Sequence, residues 1–368
     1  MSVRIGIDAR KAADYGIGTH VRNLVHRLAR LDRTVEWVLF HRPGDEELLP
    51  AGERVRLVAE SSGSYSLGEL TALAARARDL RLDLYHAPHY VLPLRLPCPS
   101  VVTVHDLIHL EAREYRGLPR LYARVMIGRA LRAAAAVITV SHASERDILR
   151  RFPGLRTRIE VIPNGVDELF HPLPPGEATA FAAEACGVEG PYLLFVGNPK
   201  GHKNVELLLE GFVKLARRYP ALQLLLVGGD ERQRRSLARR TRRLGIDGRT
   251  RLAAPVDREA LARLYAGAAA FVFPSRHEGF GLPPLEAMAC GTPVASSSSA
   301  SLPEVLGPAA AYFSPESADS LVEAICRILD DAALRARLVH LGIERARLFS
   351  WDDAARRTLA LYREVLAS

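Results

Sequence analysis

Two carboxylates, Glu278 and Glu286, stand in a Glu-x7-Glu spacing inside the stretch His277-Glu278-Gly279-Phe280-Gly281-Leu282-Pro283-Pro284-Leu285-Glu286-Ala287-Met288-Ala289. A carboxylate binds a vicinal diol well, because each of its oxygens accepts from one hydroxyl. Gly279 and Gly281 open backbone conformations that other residues resist. A glycine loop that feeds a helix N-terminus is a ready site for phosphate. Two carboxylates beside such a cradle suit a ligand with two diols and a diphosphate between them, the shape of a nucleotide-sugar. Lys203 closes a short loop after the apolar run Tyr192–Gly197, where a lysine can neutralise a diphosphate. His86 and His105 fall at the ends of two other apolar runs, and ligands gather at the carboxyl ends of strands in open α/β sheets. Taken alone, either glutamate is as well explained as an acid favoured by a helix dipole, Lys203 as an exposed loop residue, and His86 as a hydrogen-bonded structural histidine. The block as a whole is not explained that way.

These residues need strands and helices to hold them. Ala268–Phe273 reads as a buried strand, and Pro283 and Pro284 suit a first helical turn, where a missing N–H costs nothing. Gly291 followed by Pro293 stops that helix, and Glu286 is expected in its first turn. At the chain start, Arg4–Ala9 reads as a strand. Asp14-Tyr15-Gly16-Ile17-Gly18-Thr19 is a glycine loop, and Val21, Leu24, Val25 and Leu28 repeat at helical spacing. Further strands are expected at Val35–Phe40, Leu82–Pro88, Val101–Asp106, Ala134–Val140, Leu222–Val227 and Arg251–Val256. Ser61–Ser66 reads as a polar loop, Ser297–Ser301 as a flexible polar loop, and the Pro-rich Phe170–Gly176 as a linker. Ser141 suits a helix cap. The tail from Phe349 to Tyr362 reads as an amphipathic helix with Ala355, Leu359 and Tyr362 on one face.

At 368 residues the chain suits two domains. The apolar and charged fractions are those of a globular protein, and no apolar run approaches a membrane span. Met1-Ser2-Val3-Arg4 leads straight into a strand, which reads as no signal peptide. Cys98, Cys186, Cys290 and Cys326 show neither paired nor metal-like spacing, so reduced thiols and a cytoplasmic location are expected. The net charge is +8. The arginines between Arg232 and Arg251 read as a solvated helix face, and with no nucleic-acid module beside them no nucleic-acid partner is expected. Contact with an anionic membrane surface at the inner face of the plasma membrane is the better use of the excess charge.

The central block resembles glycosyltransferase family 4, retaining enzymes of the GT-B fold. The resemblance rests on Glu-Gly-Phe-Gly-Leu-Pro, then Glu-Ala-Met-Ala, then Gly-Thr-Pro-Val at 278–294. It extends over nearly the whole chain and is strong in the second half. It implies two doubly wound Rossmann-like domains facing a cleft. Residues 1–170, joined by a returning helix 351–368, would form the acceptor side, and residues 171–350 the nucleotide-sugar side. It also implies that Glu278 lies beside the donor sugar and Glu286 holds the ribose hydroxyls. Gly279, Phe280, Gly281 and Leu282 would touch the donor, Lys203 would bind the diphosphate, and His105 would lie beside the transferred sugar. The loop with Gly16 and Gly18 would sit against the donor phosphate and the acceptor. The family commonly has an arginine where this chain has Asn198, so Lys200 or His202 would have to substitute. Asp106 would point away from His105 by strand alternation.

No Asp-x-Asp triplet occurs in the chain, so metal-independent transfer without a cofactor is expected. Overall likeness is greatest to bacterial mannosyltransferases of surface-polysaccharide assembly. The expected donor is therefore GDP-mannose, with UDP-glucose or another UDP-sugar as the alternative, and the acceptor a saccharide or lipid-linked saccharide. Two other readings are a nucleotide-sugar-binding protein without turnover and a GT-B epimerase. Intact Glu278, Glu286, Lys203 and His105 argue against the first, and the Glu-x7-Glu block against the second.

Overall fold

The computed structural model describes every residue except 1, 62–66, 113, 115, 116 and 175, so most of the expected Ser61–Ser66 loop lies outside the described residues. Contacts divide the chain into two compact units. One comprises Met1–Glu111, Tyr115–Gly165 and Ser350–Ser368, the other Ala112–Glu114 and Val166–Phe349.

The first unit holds β1 (Arg4–Asp8), β2 (Glu36–His41), β3 (Val55–Ala59), β4 (Leu84–Ala87), β5 (Ser100–Thr103), β6 (Ala136–Thr139) and β7 (Arg158–Val161). All pair in parallel, in the order β3-β2-β1-β4-β5-β6-β7. Strands β4, β5 and β6 are buried along their whole length, as parallel strands with helices on both faces must be. Val38, Phe40, Tyr85, Val102, Val137 and Ile127 form part of the core beneath them. The chain order reverses between β1 and β4, and such a switch point opens a crevice at the strands' carboxyl ends.

The C-terminal helix Trp351–Ala367 belongs to this unit and packs on the helix Ile17–Leu31. Trp351, Ala355, Leu359 and Tyr362 lie on its buried face, which is the face the sequence periodicity marks. Burying one large apolar side chain stabilises by about 2 kcal/mol. The Tyr362 hydroxyl also reaches Nδ1 of His86 at 2.5 Å, while Nε2 of His86 pairs with the Thr103 hydroxyl at 2.8 Å. His86 is therefore a satisfied core histidine. Burial holds its pKa well below the ordinary value, so it stays neutral.

The second unit holds β8 (Tyr192–Val196), β9 (Gln223–Val227), β10 (Thr250–Ala253), β11 (Ala270–Phe273), β12 (Val294–Ser297) and β13 (Ala310–Phe313). These are again all parallel, ordered β10-β9-β8-β11-β12-β13. Here the switch lies between β8 and β11, where Leu193 pairs with Ala270. The loops leaving β8 and β11 carry Lys203 and Glu278.

Three local expectations need correction. Strand β5 ends at Thr103, so His105 and Asp106 lie in the following loop and strand alternation does not apply to them. The Asp106 carboxylate accepts the Ile108 N–H at 3.0 Å, starting the short helix Ile108–Glu111. Glu286 is the fifth residue of the helix Leu282–Ala289 and sits in its second turn, because the helix begins only after Gly281. Ser297–Ser301 is not a loose loop. Ser297 ends β12, and Ser297 and Ser301 are both buried and hydrogen-bonded. The arginine-rich helix Glu231–Arg243 agrees with its sequence reading, since Thr241 is its one buried residue.

Candidate functional site

Two loops at the switch point bring the candidate site residues of the second unit together. After β8 the chain makes a single helical turn, Gly201–Lys203, and Asn204 then turns with φ 55° into the helix Val205–Arg218. The Asn204 side-chain amide donates to the carbonyls of Pro274 (3.1 Å) and Pro315 (2.9 Å). The Arg276 N–H donates to the His202 carbonyl at 2.8 Å. These bonds lash the Lys203 loop to the loops that follow β11 and β13. Lys203 Nζ then meets Glu278 Oε1 at 2.6 Å and lies 5.2 Å from the centre of the Phe273 ring. The Lys203 and Glu278 side chains are only 18% and 10% exposed, so this pair is far better shielded than a surface salt bridge.

The glycine loop is pinned from below. The Ser301 hydroxyl lies 3.0 Å from the Glu278 carbonyl and 3.2 Å from that of Phe280, and donates between them. The buried Ser297 hydroxyl holds the Ser275 carbonyl. Gly281 has φ 102°, which a side chain would strain. It precedes the helix Leu282–Ala289, which has proline in its first turn. The N–H groups at this helix start have no partners in the helix itself and are suited to an anion.

Glu286 lies one turn further along. The Tyr265 hydroxyl donates to its Oε2 at 3.0 Å. Burial pushes the Glu286 carboxyl up to about 7, and Asp167 adds to the rise, while Tyr265 and Arg258 oppose it. It is therefore poised to ionise near neutrality, as carboxylates at functional sites often are.

Asn198 is engaged, since Gln233 donates to its Oδ1 at 2.6 Å. His202 is tied to Glu114, Nδ1 to Oε1 at 2.7 Å. Lys200 is exposed beside them.

In the first unit, Gly16 (φ 61°) precedes the helix Ile17–Leu31. Gly18 must be glycine, because a Cβ there would lie 2.5 Å from the Ala12 carbonyl oxygen. His105 sits after β5. Its Nε2 lies 3.0 Å from the Pro88 carbonyl, and a carbonyl only accepts, so Nε2 carries the proton. Nδ1 is then a lone-pair acceptor. Burial lowers the His105 pKa to about 4, with the Pro88 bond opposing and His89 adding to the fall. A neutral ring of this kind can accept from a sugar hydroxyl.

Sequence reading missed Tyr265, Ser301, His20 and Asn164. Tyr265 and Ala262 follow core periodicity, which hides a hydroxyl aimed at a carboxylate. Ser301 lies in a serine run that gives no sign of burial. His20, four residues past Gly16, was open to suspicion as a histidine in the first turn behind a glycine loop.

Two all-parallel doubly wound sheets of this kind are the units of the GT-B glycosyltransferases. Residues 15–168 match the family model described as Glycosyltransferase Family 4, and residues 178–345 that of Glycosyl transferases group 1. Over 372 residues the chain is 30% identical to the O-antigen chain mannosyltransferase B of Escherichia coli, covering 95% of this chain and 96% of that one. It is 33% identical over 289 residues to the MMP alpha-(1->4)-mannosyltransferase of Mycolicibacterium hassiacum, covering 73% of this chain and 66% of that one. Sucrose-phosphate synthase from Thermosynechococcus elongatus superposes with a TM-score of 0.83 at 25% identity, covering 99% of each chain. The chain belongs to glycosyltransferase family 4. It is a retaining hexosyltransferase that takes a nucleotide-sugar donor and a saccharide acceptor.

Proposed function

We propose that this enzyme transfers mannose from GDP-mannose to a lipid-linked saccharide in surface-polysaccharide assembly, without a metal. The mannosyltransferase relatives support the sugar. The observation that carries the chemistry is the shielded Lys203–Glu278 pair. On this reading Lys203 offsets diphosphate charge, together with the N–H groups of Gly279, Phe280, Gly281 and Leu282. Glu286, once ionised, accepts the two ribose hydroxyls. Glu278 accepts sugar hydroxyls, His105 accepts one through Nδ1, and the Gly16–Gly18 backbone meets phosphate and acceptor. Asn198 is held by Gln233 at the diphosphate loop, and the exposed Lys200 is the better substitute for the family arginine.

The bond from the anomeric carbon to the diphosphate oxygen breaks, and the acceptor oxygen bonds to that carbon on the same face. The acceptor proton passes to the departing diphosphate. No side-chain nucleophile is assigned beneath the sugar, since Asp106 caps a helix and Glu278 is paired with Lys203. UDP-glucose is the second donor reading. Nucleoside diphosphate release should be fastest with GDP-mannose and unchanged by EDTA. Equal stabilisation of the protein by GDP, UDP and ADP would remove the donor assignment. Activity abolished by EDTA and restored by magnesium would remove the metal-free one.

The enzyme acts at the inner face of the plasma membrane on this reading. Among the described residues no helix is long and apolar enough to cross a membrane. The helix Leu118–Ala133, however, turns an apolar stripe outward: Leu118 is 81% exposed, Leu121 and Val125 58%, and Tyr122 37%. Spacing of three and four residues places them on one face. The helix exposes Arg120, Arg124 and Arg132 and carries no acidic residue, which suits an anionic bilayer. A double Leu121→Glu/Val125→Glu variant should keep its Tm but lose roughly tenfold or more in binding to phosphatidylglycerol vesicles. Undiminished vesicle binding would contradict this surface.

A further inference from the structure

His20 is not among the residues given a role above. It is 5% exposed and stands in the first turn of the helix Ile17–Leu31. Its Nδ1 lies 2.8 Å from Asn164 Oδ1, and Asn164 is likewise buried. An amide oxygen only accepts, so Nδ1 carries the proton. That leaves Nε2 as a lone-pair nitrogen, and it is buried without a hydrogen-bond partner. A buried polar atom left unsatisfied costs about 1–3 kcal/mol, and such sites call for an explanation.

The ring that carries it is packed between two others. His20 meets His105 edge-on, with ring centres 4.7 Å apart and planes at 84°, and meets Trp351 at 5.8 Å and 68°. His105 is held at its other side by the Pro88 carbonyl. Its ring is thus fixed from two directions, by one hydrogen bond and one ring edge. A protonated His20 would repel a charged His105 and break the edge contact. Burial, with His105 adding to the effect, lowers the His20 pKa to about 3. The other titratable groups around His105 are His86, itself kept neutral by burial, and His89, whose Nδ1 accepts the Val91 N–H while Nε2 donates to the buried Asp8. Asp8 is in turn bound by Arg10, so its charge is already matched.

We propose that His20 is a positioning residue for His105. Its ring, set by Asn164 and Trp351, braces the His105 imidazole so that Nε2–H stays on Pro88 and Nδ1 stays an acceptor for a substrate hydroxyl. The proposal rests on the reading of His105 given above, and the variants separate the two. His20→Ala removes the brace and lets water reach His105. We expect kcat to fall at least about tenfold at pH 8, donor KM to change by less than about threefold, and the acid limb of kcat at saturating donor to move upward, toward the ordinary histidine value. His20→Phe restores a ring edge without nitrogens and should recover most of kcat and the original acid limb. A merely structural role would lower Tm without moving the limb. A folded His20→Ala enzyme with wild-type kcat and acid limb would overturn the proposal, as would a His20→Phe enzyme no better than His20→Ala. If His105→Ala itself kept full activity, the reading of His105 would fail instead.

Discussion

Lys203→Ala is expected to weaken binding of a nucleoside diphosphate by roughly 100-fold, the equivalent of about 3 kcal/mol. Two effects add. The ammonium that offsets diphosphate charge is lost, and Glu278, 10% exposed, is left as an unpaired carboxylate beside the anion. A charge-assisted bond contributes more than a neutral one, and stripping a partner from a shielded charge costs more again. Calorimetric titration with nucleoside diphosphate and monophosphate separates this from general damage, because the monophosphate should lose much less. Equal losses for both would place Lys203 away from the diphosphate. The Lys203→Ala/Glu278→Gln double variant should regain stability but not turnover, since it removes the stranded charge without replacing the cation.

Glu286 should make donor binding depend on pH. In the free enzyme its carboxyl ionises near 7, raised from the ordinary 4.5 chiefly by burial. Ribose hydroxyls donate, so the ionised form is the one that binds. Affinity should rise with pH through about 7, and below that fall by up to about tenfold per unit. Stability runs the other way. A carboxyl whose folded pKa is raised favours the fold when protonated. That contribution is complete below about 4.5, and is lost as pH rises to about 7. Glu286→Gln should flatten both dependences and cost about 2 kcal/mol of donor binding, roughly 30-fold. Donor affinity that stays flat across pH 6–8 in the unmodified enzyme would contradict the ribose assignment.

Much of the fold was legible because parallel strands buried on both faces must be continuous apolar runs. Tyr192–Val196 and Ala270–Phe273 announce themselves that way, and the glycine-rich exits after them mark the site loops. Strand ends were read less well. The apolar run through Val104 passes Thr103 without a break, and only the pairing of β5 with β6 shows that His105 has left the strand. The Lys203–Glu278 contact joins residues 75 apart, and no local pattern encodes such a pairing. Tyr265 and Ser301 were invisible for a related reason. Each follows the pattern of its own element, as core helix or as serine turn, while its hydroxyl serves a different one.

Transfer with retention by a front-face route forms no glycosyl-enzyme. The most direct test is to follow the reaction with GDP-mannose and a saccharide acceptor by proton NMR, reading the anomeric configuration of the first product formed, with intact-mass spectrometry of the enzyme on donor alone. The expected result is a product with the donor's own anomeric configuration and an enzyme of unchanged mass. An inverted product, or a hexose adduct on Glu278, would exclude front-face retention.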